Sequence, residues 1–467
     1  GIPPRTRFTY EFPLRQAGTY WYHSHSGLQE QLGHHGPIII DPAGADPVGF
    51  DREHVLFLSD QSRLSPEAIF RRLKAEPGYF NHQRQTFASL LAGRDQKLAE
   101  RLHWSAMRMD PTDIADVTGA TYTYLVNGHG PADNWTALCR PGERVRLRII
   151  NGSAMTTFNL RIPGLELSVV QADGMDVRPV MVDELQIAVA ETYDLIVTVP
   201  AEGAWTIVAE SIDRSGMARA TLATRPGLVA PVPPLRARPL ATMADMGMNM
   251  GMNMGMNGGH EGTAHGGMDH GAMGHAASPE RRSMSMRDFR HAPGVDRNPG
   301  VQSIAMAPAD RTGEPGQGLE DAGHRVLVYR DLVALAANPD PRPPARTVDV
   351  HLTGNMERFM WSFDGHKMSD RMEPLPFVAG ERVRVNLIND TMMGHPIHLH
   401  GHFFALATGH GDHAPLKHTV LVKPGGIVSF DLTADAIGDW AFHCHLLYHM
   451  HAGMMRVVSV RPAGEPA

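Results

Sequence analysis

The segment Gly142-Glu143-Arg144-Val145-Arg146-Leu147-Arg148-Ile149-Ile150-Asn151 returns in close pattern as Gly380-Glu381-Arg382-Val383-Arg384-Val385-Asn386-Leu387-Ile388-Asn389. Each copy leaves a glycine turn, alternates in polarity and ends in Ile-Asn, which reads as a β-strand. Two copies in one chain indicate an internal repeat of one β-domain. At 467 residues the chain exceeds what one hydrophobic core usually supports, so two or three domains are expected. Short strands separated by regular turn signals point to an all-β architecture of tandem Greek-key β-sandwich or barrel domains.

The segmentation follows from the same signals. In residues 1–45, Arg7-Phe8-Thr9-Tyr10-Glu11-Phe12 alternates like a strand, Gly18–His23 follows, and Gly36-Pro37-Ile38-Ile39-Ile40 runs into a proline breaker. A second unit covers 46–225, with a partly helical stretch over 63–106. Residues 226–325 read as a flexible linker, because the Gly, Asn and Met density at its centre cannot build a packed core. A third unit occupies 326–467.

The formal net charge is −7 with no basic stripe, which argues against a nucleic-acid partner. No apolar run reaches membrane-spanning length, so no membrane span is expected. Histidine and methionine each number 27, and there are only two cysteines, Cys139 and Cys444. Two distant cysteines make no disulfide framework. An excess of thioether and imidazole points to a soft or borderline metal such as copper.

Three histidine motifs give that chemistry an address. In His443-Cys444-His445, a strand sends the two imidazoles to one face and the thiol to the other, so one tripeptide can serve two metal sites. His449 and Met454 follow. A thiolate and two imidazoles with a distant thioether make a blue-copper set. In His395-Pro396-Ile397-His398-Leu399-His400, His398 and His400 share a face, and His395 lies beyond the proline. In His23-Ser24-His25 two more imidazoles share a face. A lone histidine is more often a surface or hydrogen-bonded residue, and His34, His35, His410, His413 and His418 are read that way. Cys139 is read as a small buried residue.

Gly18-Thr19-Tyr20-Trp21-Tyr22-His23-Ser24-His25-Ser26-Gly27, Asn151-Gly152-Ser153-Ala154-Met155, His395–Gly401 and Asp439-Trp440-Ala441-Phe442-His443-Cys444-His445-Leu446-Leu447-Tyr448-His449 together resemble the multicopper oxidases, most closely their bacterial copper-resistance type, with laccase-like relatives. The resemblance implies cupredoxin-like domains and four copper ions. It places type 1 copper on His395, Cys444, His449 and axial Met454, favoured over Met455 by spacing. It places type 2 copper on His398, and the type 3 pair on His23, His25, His400, His443 and His445. Cys444, His443 and His445 would carry electrons between sites. The family also has an HxHG motif upstream of the HSH motif, and no histidine precedes His23. The resemblance therefore implies a first domain only partly present in this sequence, with two of eight cluster imidazoles lying upstream.

Met246, Met248, Met250, Met252, Met254 and Met256 fall at every second position, followed by His260, His265, His270 and His275. This tract is either an unstructured spacer or an accessory copper site. The expected function is a periplasmic oxidase that converts Cu(I) to Cu(II) with dioxygen as oxidant, supplied by periplasmic copper chaperones. A laccase-like phenol oxidase and a copper-sequestering protein without turnover are the alternatives.

Overall fold

A computed structural model describes residues 2–248, 286–370 and 372–465. Four large sheets carry the all-β expectation. One has the strand order Tyr122–Val126, Arg52–Ser62, Arg144–Asn151, Thr192–Thr198, Leu167–Ala172, Met175–Val182. Its partner runs Glu184–Ile187, Phe158–Arg161, Ala204–Ser211, Met217–Ala223, Trp135–Leu138. In the C-terminal part, Met360–Phe363, Arg346–Asn355, Arg382–Asn389, Gly426–Thr433, Phe404–Leu406 and Leu416–Lys417 form a third sheet. The fourth runs Leu375–Val378, Met455–Arg461, Gly438–Cys444, His395–Leu399, Thr419–Val422. Alternating residues such as Leu147, Leu195, Leu387 and Phe430 belong to one contiguous buried cluster.

The repeat seen in the sequence is real in three dimensions. Arg144–Asn151 lies parallel to Arg52–Leu58 and antiparallel to Thr192–Thr198. Arg382–Asn389 lies parallel to Arg346–Leu352, and its Arg382–Ile388 stretch pairs antiparallel with Ile427–Thr433. The correspondence reaches single side chains. Asn151 Nδ2 donates to the Thr156 and Ile187 carbonyls, and Asn389 Nδ2 donates to those of Met393 and Val422. Arg146 and Arg148 pair with Asp194 as Arg382 and Arg384 pair with Asp431.

Two expectations need correction. Residues 7–12 form no strand: Phe8, Tyr10 and Phe12 are 60%, 71% and 64% exposed. Alternation only makes a strand when a neighbouring chain accepts its hydrogen bonds, and among the described residues none does. Strand structure begins at Gly18–His23, paired with His35–Ile40 alone. It is moored to the second unit by Arg148 donating to Thr19 Oγ1 at 3.0 Å.

The flexible linker expected over 226–325 is packed at both flanks. Arg236 pairs with the buried Glu184 and Glu210, and Arg311 with Asp245. Ala309–Asp310 adds a short parallel strand beside Gly426, and Phe289, Val301 and Ile304 share a small buried cluster. Side-chain ion pairs and scattered apolar residues, invisible to a composition argument, supply this packing. Residues 249–285, including Met250, Met252, Met254, Met256, His260, His265, His270 and His275, lie outside the described residues.

Candidate metal centres

The Gly438–Cys444 strand pairs antiparallel with His395–Leu399, setting Ile397 opposite Cys444 and His398 opposite His443. Strand alternation then sorts the ligand-type side chains. Cys444 goes inward, and its Sγ lies 3.6 Å from His395 Nδ1 and 3.9 Å from His449 Nδ1. The two Nδ1 atoms are 3.2 Å apart. His395, Cys444, His449 and Met454 are all fully buried. Met454 arrives by a tight path: the Leu447–Ala452 helix ends at Gly453 with φ +134°, a conformation that L side chains rarely adopt. Met454 joins the buried core, while Met455 is half-buried on the outgoing strand.

The surroundings fix which nitrogens face the pocket. His449 Nε2 lies 2.7 Å from Asp116 Oδ2, which accepts its proton. Thr391 donates its hydroxyl to Asn389 Oδ1, so at 2.8 Å its oxygen accepts from His395 Nε2–H. Both Nδ1 lone pairs are thereby turned toward Cys444 Sγ. Trp361 stacks on His449 at 4.0 Å between centroids and seals the pocket. Burial holds both imidazoles well below their usual range, hence neutral, and pushes the Cys444 thiol well up in the absence of a cation. A buried thiol with no countercharge beside two neutral imidazole lone pairs suits a soft or borderline cation, and copper fits it.

On the other side of the strand, His25, His400 and His443 bring one ligand atom each within 4.8 Å of one another. His400 Nε2 and His443 Nε2 are 3.1 Å apart. His443 Nδ1 donates to the Cys444 carbonyl and His398 Nδ1 to that of His418, which leaves each Nε2 free. His23 Nε2 and His445 Nε2 lie 3.3 Å apart. His23, His398 and His445 line a cavity of about 1130 Å³ bounded also by Trp21, His402 and His418. Burial depresses His398, His443 and His445 strongly and His400 to about 4, so these donors are neutral.

Every histidine picked out by the three motifs enters one of these two constellations. Met246 and Met248 lie instead in a separate methionine cluster. Some residues were missed. Asp116, Thr391 and Glu30, which sits beside His23 at 3.1 Å, contact the imidazoles. Glu30 follows the HSH motif closely enough to have been noticed; Asp116 is 333 positions from His449 and carries no local signal. His418 and His35, read as surface or loop residues, are packed. His418 lies 5.1 Å from the His398 ring, and His35 stacks on Phe57 at 4.8 Å. Cys139 is buried, as expected, its thiol donating to the Ala223 carbonyl.

Two imidazoles and a thiol, with a buried methionine in the same core and six further imidazoles joined to them through adjacent strand residues, fit a redox protein with several linked copper sites. The comparisons with known proteins narrow this. Three family models, each described as multicopper oxidase, match residues 1–45, 97–227 and 341–464. The chain is 49% identical to the copper resistance protein A homolog of Pseudomonas syringae pv. tomato, covering 98% of this chain and 80% of that protein. It is likewise 49% identical to copper resistance protein A of Escherichia coli, over 98% and 80%. Fet3p, described as a multicopper oxidase that functions in iron import, shares the fold with a TM-score of 0.58 at 16% identity, over 95% of this chain and 72% of that one. The chain belongs to the multicopper oxidase family. It is an oxidoreductase of tandem cupredoxin-like domains, and copper, at type 1, type 2 and type 3 sites, is its cofactor.

Proposed function

We propose that this protein oxidises Cu(I) to Cu(II) in the periplasm and passes the electrons to dioxygen. In this reading His395, Cys444, His449 and Met454 hold type 1 copper. His25, His400 and His443 hold one copper of the type 3 pair, His23 and His445 contribute to the other, and His398 to type 2 copper. Bound copper supplies one-electron redox steps: four Cu(I), one dioxygen and four protons give four Cu(II) and two waters. Asp116 and Thr391 orient the imidazoles around Cys444. The backbone from Cys444 to His443 and His445 is the shortest covalent route between the two constellations. Trp361 and Phe359, both fully buried, keep water from His449. The domain limits 1–45, 46–225 and 326–467 serve this arrangement, since the cluster histidines come from the first and last units.

The observation that carries Cu(I) as reductant is a methionine cluster. Met246 and Met392 are buried with Trp104 and Ala241, and Met107, Met109, Met243, Met248, Met286 and Met356 pack around them. Met392 directly follows Thr391, which holds His395, and Met356 lies three residues before Phe359, which meets His449 edge-on. Thioethers are soft ligands suited to Cu(I). Met248 and Met286 are also the described residues nearest each end of the Met- and His-rich tract, which in this reading feeds Cu(I), delivered by a periplasmic copper chaperone, to the cluster.

The test replaces Met243, Met246, Met248 and Met286 with leucine, which keeps volume while removing sulfur. Cu(I) oxidation should slow by about tenfold or more, the scale of losing outer contacts at a metal site, with phenol oxidation unchanged. Equal loss of both activities would defeat the Cu(I) reading and favour a phenol oxidase.

A further inference from the structure

Glu30 lies beside two of the cluster histidines and belongs to none of the three histidine motifs. It sits in the short 3₁₀ turn Gln29–Leu32, directly after the His23-Ser24-His25 motif, and is 2% exposed. Its two oxygens reach two histidines from different units of the chain. Oε2 lies 3.1 Å from His23 Nδ1, and Oε1 lies 3.8 Å from His445 Nδ1. Glu30 Oε1, His23 Nδ1 and His445 Nδ1 are all buried without a well-formed hydrogen bond. Two imidazole nitrogens thus face the two oxygens of one carboxyl group, His23 Nδ1 within hydrogen-bond distance of Oε2 and His445 Nδ1 a little beyond it from Oε1. The opposite nitrogens, His23 Nε2 and His445 Nε2, are then 3.3 Å apart with lone pairs facing each other.

Two other cluster imidazoles turn outward to neutral groups, His443 to the Cys444 carbonyl and His398 to the His418 carbonyl and the Thr419 hydroxyl. Glu30 is different in kind. It is a side-chain carboxyl group whose two oxygens reach two different histidines. A carboxylate behind an imidazole fixes its tautomer and raises its basicity toward a metal. The turn is itself anchored: Gln31, the next residue, donates to the Asp60 carbonyl at 2.9 Å and accepts from the Tyr122 hydroxyl.

We infer that Glu30 is a positioning residue for the oxygen-reducing cluster, holding His23 and His445 as Nδ1–H tautomers so that both Nε2 atoms address the same copper. The inference rests on the ligand assignment proposed above. The experiment uses the full-length, copper-loaded protein with Glu30→Gln and Glu30→Asp. A glutamine has one acceptor and turns its NH₂ toward the other N–H, so only one imidazole stays oriented. Expected for Glu30→Gln is a kcat for oxygen reduction lowered by about 10- to 100-fold. The KM for the reducing substrate and the blue absorption of the Cys444 site should be unchanged. The magnetically coupled copper pair, silent in electron paramagnetic resonance, should become visible or lose one ion in the copper count. Glu30→Asp should recover part of the coupling. A Glu30→Gln protein with wild-type kcat and a silent pair would overturn the inference. So would loss of the blue band and all copper in parallel, which marks a merely structural residue. A wild-type protein with no coupled pair would instead sink the ligand assignment.

Discussion

At the scale of single residues, the sites are built by fixing imidazole tautomers from behind. Asp116 carries this for His449, and burial pushes its own carboxyl up to about 7. Asp116→Ala strands the His449 Nε2–H in a dry pocket, and turnover should fall by about 10- to 100-fold while Cys444 remains able to bind copper; stopped-flow reduction of the blue band measures it. Cys444→Ser should abolish both the blue band and oxygen uptake, and a variant that still consumed oxygen at the normal rate would remove the proposed electron route. His35 offers a test by pH. Burial, with like charge from His23 second, lowers it to about 4 from an ordinary 6.5. Its neutral, stacked form therefore stabilises the fold above about 6.5, and that contribution is lost as pH falls through about 4. On going from pH 7 to 4.5 the wild type should lose more denaturation midpoint than His35→Gln. The imidazole positions were legible because spacing within a strand determines which side chains share a face. Asp116 and Thr391 were not, because what makes them matter is tertiary proximity to a nitrogen elsewhere in the chain.

At the scale of elements, the helix Leu447–Ala452 and the turn at Gly453 deliver Met454. A Cβ at Gly453 would lie 2.7 Å from Lys367 Cβ and from the Trp361 carbonyl oxygen. Gly453→Ala should cost about 1–3 kcal/mol from backbone strain alone and displace Met454, seen as a lower melting temperature together with a shifted blue band. The repeated Arg-Val-Arg strands were readable because two-residue alternation survives whenever one face is buried. The same signal misled at Arg7–Phe12, where the alternating residues meet no partner strand among the described residues.

At the scale of the whole molecule, the second and third units are pinned by buried charge. Lys417 is fully buried, 3.0 Å from Asp173 and 3.2 Å from Glu191 across the interface. Burial opposes ionisation of Asp173, but Lys417, His418 and the Thr192 N–H outweigh it and hold its carboxyl low. Removing one partner of such a group leaves buried charge uncompensated, so Lys417→Met should destabilise by about 3–5 kcal/mol, measured by denaturant titration. The effect should reach the metal region, because the adjacent His418 carbonyl holds His398. Domain repetition was visible in the sequence, but this interlock was not: nothing near Lys417 distinguishes it from a surface lysine. The packed flanks of the Met-rich tract escaped notice for the same reason.

The strand ending at Cys444 has a consequence for how this protein can change. Its pairing sets His443 against His398 and Cys444 against Ile397, so a single inserted or deleted residue would swap which face each donor serves. The thiol would turn toward the side of His25 and His400 and an imidazole toward that of His395 and His449, with no intermediate arrangement available. The strand itself can vary only by substitution. Its length is a fixed gauge in the molecule's circuitry.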